Sequence, residues 1–212
     1  MIPRTILVLK PHIEGGTPPV EPPTVYTVTG FINPGGEAKN NIGWTKSSET
    51  VPYDPFHGIA DSNLARHPPL GTFFFLGNNT TIGIQYQDIT LATQTTVPLA
   101  KVDAGQCGIR LTWWAGTRLG GVDTDKPAID LRFYDGSSVL LDSATTGLAS
   151  PVTDRGGGFA WDAQMHEFAV PVGTRKVRVM MRMVLLNGTF NDAAIDEIVP
   201  TFLVYNSWAP CK

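Results

Sequence analysis

The stretch 174-TRKVRVMMRMVLLNGTFNDAAIDEIVPTFLVY-205 decides the fold class. In its first half Val177, Val179, Met181, Met183 and Leu185 share one parity, and Lys176, Arg178, Met180 and Arg182 share the other. Period-two alternation of this length predicts a strand with one buried face and one wet face. The segment Asn187-Gly188-Thr189-Phe190-Asn191-Asp192 then supplies turn residues, since Asn, Gly and Asp tolerate positive φ and bond their own backbone. A second, more apolar strand over 193–205 completes what reads as a hairpin. Asp196 and Glu197 stand in its first half, an acidic pair that calls for an explanation.

Composition agrees with an all-β reading. Of 212 residues, 42% are hydrophobic and 17% charged, with 22 Gly and 17 Pro; the charged share lies below the usual figure of about 25%. Abundant turn residues with β-branched and aromatic side chains favour strands over helices. The length suits one domain with a substantial core plus an appendage. A net charge of −3 makes no electrostatic case for a nucleic-acid partner. Two cysteines, Cys107 and Cys211, are too few for a disulfide framework; the alternatives are one bridge tying the C-terminal tail to the body and, preferred, two reduced thiols. The start, Met1-Ile2-Pro3-Arg4, leads into only a short apolar run before Lys10-Pro11, so no signal peptide is expected. No run approaches the roughly 20 apolar residues of a membrane span, and no membrane partner is expected.

Residues 1–23 differ from the rest. Ile6, Leu7, Val8 and Leu9 form an apolar patch on a tether stiffened by Pro18, Pro19, Pro22 and Pro23. Such an arm suits strand addition to a neighbouring chain's sheet, and the alternative is a floppy terminus. The domain proper is expected over 24–212. Val25, Tyr26 and Val28 open it, and 46–69, with His57 and His67, reads as a long surface loop. Phe73 and Phe75 face one way and Phe74 the other. Between 82 and 91 the apolar parity changes from Ile82, Ile84 and Tyr86 to Ile89 and Leu91, which predicts a β-bulge near Gln87-Asp88. Ile109, Leu111 and Trp113 alternate with Arg110, Thr112 and Trp114, and Ile129, Leu131 and Phe133 with Asp130, Arg132 and Tyr134. The Asp135-Gly136 turn leads into a hairpin partner at 139–141. No periodic helix of useful length occurs. Nine or ten strands at this spacing predict an antiparallel sandwich.

The order of several segments resembles the galactose-binding-like jelly roll found in many carbohydrate-binding modules. These are Asn33-Pro34-Gly35-Gly36-Glu37 with Gly43-Trp44-Thr45, Gly71-Thr72-Phe73-Phe74-Phe75, and Gln87-Asp88-Ile89. They continue with Leu111-Thr112-Trp113-Trp114-Ala115-Gly116, Ile129-Asp130-Leu131-Arg132-Phe133, Val170-Pro171-Val172-Gly173-Thr174-Arg175 and Asn191-Asp192-Ala193-Ala194-Ile195-Asp196. The resemblance spans about residues 30–205. It implies an antiparallel jelly-roll β-sandwich, here with an extended Pro-rich N-terminal arm. It also implies one structural Ca²⁺ with Glu37 and Asp196 as carboxylate ligands, against the plainer reading that Asp196 accepts backbone hydrogen bonds at a bulge.

The motifs give no sign of an enzyme. His12, His57, His67 and His166 lie in unrelated contexts, and GxSxG, HExxH, P-loop and CxxC patterns are missing. Asp123 and Asp125 lie in a loop that could bind a cation, although two acidic residues in a turn are usually only solvated. For sugar binding the first candidate is Trp114, which shares outward parity with Arg110, with Tyr86, Arg132 and Trp161, and also Gln85 and Tyr134, behind it. The competing reading packs Trp114 under a loop or against a subunit. The preferred expectation is a structural protein of a bacteriophage virion, made in the host cytoplasm. It would be a head-decoration or other particle-surface component, a homo-oligomer among other virion proteins, assembled through Ile6 to Leu9. The alternative is a carbohydrate-recognition module on a phage tail or in a bacterial protein, with a glycan as partner. Outward Lys176, Arg178 and Arg182 read as a solvated row.

Overall fold

Alternation in sequence becomes two antiparallel sheets packed face to face. The computed structural model describes residues 21–32, 43–46, 58–60, 73–78, 82–119, 125–154, 159–189 and 191–206. The strands are β1 (Thr24–Thr27), β2 (Thr45–Lys46), β3 (Gly58–Ala60), β4 (Phe73–Asn78), β5 (Ile82–Thr90), β6 (Cys107–Arg118), β7 (Lys126–Tyr134), β8 (Leu140–Thr145), β9 (Phe159–Ala169), β10 (Lys176–Val184) and β11 (Asn191–Val204). One sheet has the order β3-β4-β11-β6-β9, with β1 beside the end of β11; the other has the order β2-β5-β10-β7-β8. The expected all-β sandwich is therefore present. Among the described residues it has eleven strands rather than nine or ten, because β2 and β3 are too short to show alternation. Two single-turn helices, α1 (Leu91–Gln94) and α2 (Leu99–Asp103), lie between β5 and β6.

The stretch 174–205 is not a hairpin. β10 pairs with β5 and β7 in one sheet, whereas β11 pairs with β4, β6 and β1 in the other. Turn residues reverse the chain, but each strand already has neighbours on both sides, so the connection crosses between sheets. Wholly buried Asn191 ties the layers by donating from Nδ2 to Met183 O at 3.1 Å. By contrast the Asp135 turn does join a hairpin, β7–β8, and Asp135 Oδ1 accepts from Ser137 N and Val139 N at 2.8 Å each.

The core lies between the sheets. Val177, Val179, Met181 and Met183 meet Ile109, Leu111 and Trp113 of β6 and Ile129, Leu131 and Phe133 of β7, all essentially unexposed. Each such side chain contributes roughly 1.5–3 kcal/mol on burial. Trp44 closes one end, with Phe31 and Phe75 edge-on at 5.6 Å each.

The bulge expected in β5 does not occur. Its pairing with β10 runs unbroken from Ile82 to Thr90, with Gln85, Gln87 and Ile89 inward and Ile84, Tyr86 and Asp88 outward. The inward Gln87 amide acts as a substitute strand, accepting from Ile32 N at 3.0 Å and donating to Ile32 O at 2.6 Å. The irregularity is in β11, where register against β6 shifts between Asp196 and Val199. Glu197 takes φ 47° there. The shift moves the inward parity from Ala193 and Ile195 to Ile198, Phe202 and Val204, which accounts for the acidic pair.

Cys107 is a free, wholly buried thiol, and burial pushes it up to about 12 from an ordinary 9.0. Tyr205 is raised from 10.0 to about 12, first by burial and then by the Glu167 charge, its hydroxyl donating to Glu167 Oε2 at 3.3 Å. The unfolded chain loses both protons first. The stability these groups contribute is complete below pH 9 and is lost as pH rises through 12. The denaturation midpoint is expected to fall progressively over that window, and Tyr205→Phe should flatten its upper part.

Candidate functional site

β5, β10 and β7 run side by side in the five-stranded sheet, and their register sets outward residues in rows. Lys176 lies between Thr90 and Tyr134, Arg178 between Asp88 and Arg132, Met180 between Tyr86 and Asp130, and Arg182 between Ile84 and Ala128. The Arg178 guanidinium lies 3.7 Å from the Tyr86 ring centroid and 5.5 Å from that of Tyr134. It donates through Nε to Asp88 Oδ1 at 2.7 Å and through Nη2 to Oδ2 at 3.0 Å. Lys176 Nζ sits 4.7 Å over the Tyr134 ring. Arg182 repeats the fork on Asp130, at 2.6 and 3.0 Å.

These forks are about a quarter exposed, so screening keeps their stabilising effect small, while their planarity fixes geometry. Hydrogen bonds to the carboxylates raise both guanidinium pKa values against desolvation, so the cations stay charged. The result is a flat, half-buried surface of two phenol rings with fixed donors and acceptors. Sugar hydroxyls can accept from guanidinium N–H groups outside the two forks and donate to the carboxylates, and each phenol ring offers the face that its cation does not cover.

The sequence-level sugar candidates divide between the two outer faces of the sandwich. Tyr86 and Arg132 belong to the surface just described. Trp114 and Arg110 are outward on β6, in the other sheet, and do not meet them. Arg110 Nε donates to Glu167 Oε1 at 2.6 Å. Trp114 is half-buried and packs on a second apolar cluster of Phe74, Leu76, Phe159, Trp161 and Ala194, which belong to strands of its own sheet rather than to a loop or a subunit. Trp161 requires correction. It is wholly buried, with ring centroids of Phe74 at 5.3 Å and Phe159 at 5.4 Å, and so offers no ring face to a ligand. Asp88, Asp130, Arg178 and Lys176 were not singled out for sugar binding. Their signal is the outward parity of β5, β7 and β10, which becomes a site only once register is known.

Asp196 is wholly buried at the β11 bulge, whereas Glu37 and the arm residues Ile6, Leu7, Val8 and Leu9 lie outside the described residues. Among the described residues no three His, Cys, Asp or Glu side chains gather as for a metal. Asp125 also departs from expectation. It is not a solvated turn residue: it is 5% exposed and accepts from Leu186 N at 2.8 Å and Asp192 N at 2.7 Å.

No protein-family model matches the sequence, and no curated protein matches it. In fold the chain is similar to the enzymatically active domain of tailspike protein 4 of bacteriophage CBA120, with TM-score 0.51 and 17% identity over 82% of this chain. It spans about a fifth of that structure, 21% of its length. The CBM22-1 xylan-binding domain of Paenibacillus barcinonensis Xyn10C is also similar, with TM-score 0.47 and 11% identity over 88% of this chain and 99% of that one. The C-terminal family 22 carbohydrate binding module of Clostridium thermocellum Xyn10B gives 0.43 and 16% over 82% and 94%. At these identities the likeness is one of fold. The chain forms an antiparallel β-sandwich.

Proposed function

We propose that the domain is a non-catalytic glycan-recognition module, and that the sugar docks on the outer face of the five-stranded sheet. The observation that carries this reading is the Tyr86–Arg178–Tyr134 stack, framed by Asp88, Asp130, Arg132 and Arg182. Sugar recognition needs rigid ring faces beside convergent donors and acceptors, and here both are held by the sheet before any ligand arrives. The fold likeness alone does not decide function, since one fold hosts many. Sugar recognition is preferred to head decoration for a reason internal to this face. Arg178 and Arg182, expected as a solvated row, instead engage carboxylates of their own sheet.

A glycan array followed by calorimetry tests the reading. Tyr86→Ala is expected to weaken the leading hit about tenfold, near 1.4 kcal/mol, while Trp114→Ala leaves it unchanged. The reverse pattern would move the site to the other sheet. An array without hits would remove the glycan reading.

A further inference from the structure

We infer that Asn187 is a self-modification site, where the backbone nitrogen of Gly188 closes on the side-chain amide and converts the asparagine to isoaspartate or aspartate. The inference is independent of the glycan reading. Asn187-Gly188 is the one Asn-Gly pair in the chain. It lies in the crossing from β10 to β11, and both residues are exposed. Gly188 N donates to Asn187 Oδ1 at 2.8 Å. Cγ is one bond from that oxygen, so the attacking nitrogen and its target carbon are held side by side before reaction. Gly188 takes φ 82°, and the place where a Cβ would stand has nothing within 4 Å. A glycine here leaves ring closure unhindered and the backbone free to turn.

The chemistry needs only hydroxide and water. Hydroxide takes the Gly188 N–H proton, the nitrogen bonds to Asn187 Cγ, and the Cγ–Nδ2 bond breaks. Ammonia leaves with a proton from water, which restores the hydroxide. Water then opens the cyclic imide. Opening at Cγ gives aspartate; opening at the main-chain carbonyl gives isoaspartate, with one extra carbon in the backbone. The Asp135-Gly136 turn supplies a contrast, because an aspartate before glycine can close the same ring. There Asp135 Oδ1 is committed to Ser137 N and Val139 N, at 2.8 Å each, amides further along the turn.

Position gives the product its effect. Buried Asp125 accepts from Leu186 N at 2.8 Å, from Asp192 N at 2.7 Å and more weakly from Asn187 N at 3.5 Å. Isoaspartate carries its free carboxylate on the very Cα that bears this third amide nitrogen, close to the Asp125 charge. Like charges at such range, poorly solvated, repel. The lengthened backbone strains the same anchors. Conversion therefore loosens the crossing that Asp125 ties.

The test ages the full chain in warm, mildly alkaline buffer, folded and in parallel in denaturant, and follows positions 135 and 187 by peptide mapping. The expected result is isoaspartate and aspartate at position 187, formed in the folded protein at least as fast as in denaturant. Folding should suppress isoaspartate formation at Asp135 at least tenfold. Gly188→Ala should slow conversion at least tenfold. Because φ 82° strains any side chain at that position, Asn187→Gln is the second variant; it keeps Gly188 and should hold its melting temperature through ageing. Converted wild-type protein should melt several degrees lower and lose exchange protection at the Leu186 and Asp192 amides before Val179. A folded rate tenfold below the denatured rate would overturn the site, since the fold would then shield Asn187. The same ratio of folded to denatured rate at Asp135 and Asn187 would overturn the role given to the hydrogen bonds. Converted protein that melts unchanged would overturn the coupling to Asp125.

Discussion

Asp125→Ala is expected to cost about 3–5 kcal/mol, the largest single effect in the domain. Its carboxylate, 5% exposed, receives Leu186 N at 2.8 Å and Asp192 N at 2.7 Å, with Asn187 N at 3.5 Å as a weaker third. Hydrogen bonds to a charged group contribute roughly 1.5–3 kcal/mol each, and the orphaned N–H groups would add their own desolvation cost. The loss is comparable with a third of the stability of an ordinary domain, about 5–15 kcal/mol. The three amides flank the crossing from β10 to β11, so the damage should be local before it is global. Hydrogen exchange is the discriminating measurement: the Leu186 and Asp192 amides should lose protection in the variant well before those of Val179 or Met181. Equal loss everywhere would show that Asp125 merely fills space. Asp125→Asn, which keeps the shape with one oxygen, should fall between the two.

The second large effect is expected at Gly116. A Cβ built there would lie 2.6, 2.7 and 2.8 Å from Cζ3, Cε3 and Cη2 of Trp161, distances that real Cβ atoms do not tolerate. Trp161 sits directly opposite on β9 and cannot yield, because Phe74 and Phe159 hold its ring. Overpacking of this kind costs about 1–3 kcal/mol, and the rigidity of the ring places Gly116→Ala at the upper end. At 2–4 °C per kcal/mol for a domain of this size, melting should fall by about 6–12 °C. A double-mutant cycle identifies the cause. In a Trp161→Leu background the same Gly116→Ala step should cost less than about 1 kcal/mol, and an unchanged cost would place the clash elsewhere.

What could be read from the chain, and what could not, follows the range of the interactions involved. The inward parity of Val177 to Met183 and of Ile109 to Trp113 is local, and it survived intact. Asn187-Gly188 also spoke correctly, but only about reversal. Which strand β10 bonds to depends on residues some 50 and 90 positions away, Asp130 and Asp88 among them. The hairpin reading failed at that step. In β5 apolar parity points the wrong way, because Ile84 and Tyr86 are outward while Gln85 and Gln87 are inside, and outward apolar residues are common. The β11 bulge against β6 is written in Asp196-Glu197, where apolar parity switches. Outward parity likewise found Tyr86, Arg132 and Trp114 as surface-directed. It could not tell that a second apolar cluster on the outer side of one sheet would claim Trp114 and bury Trp161. The partnership of Tyr86 with Arg178 needed register between strands, which no single segment carries.

The pairing of β1 with the end of β11 has a mechanical consequence. Thr24 lies opposite Val204 and Thr27 opposite Thr201, so the chain enters and leaves the domain side by side. A load applied between those two points pulls the antiparallel pair apart from one end, opening it bond by bond instead of shearing every bond at once. β1 would peel away at low force, while the rest of β11 stays clamped between β4 and β6. Tension on the domain is thus relieved at this seam, far in sequence from Asp88, Asp130 and Arg178. The outer face of β5, β10 and β7 can keep its register while the seam gives.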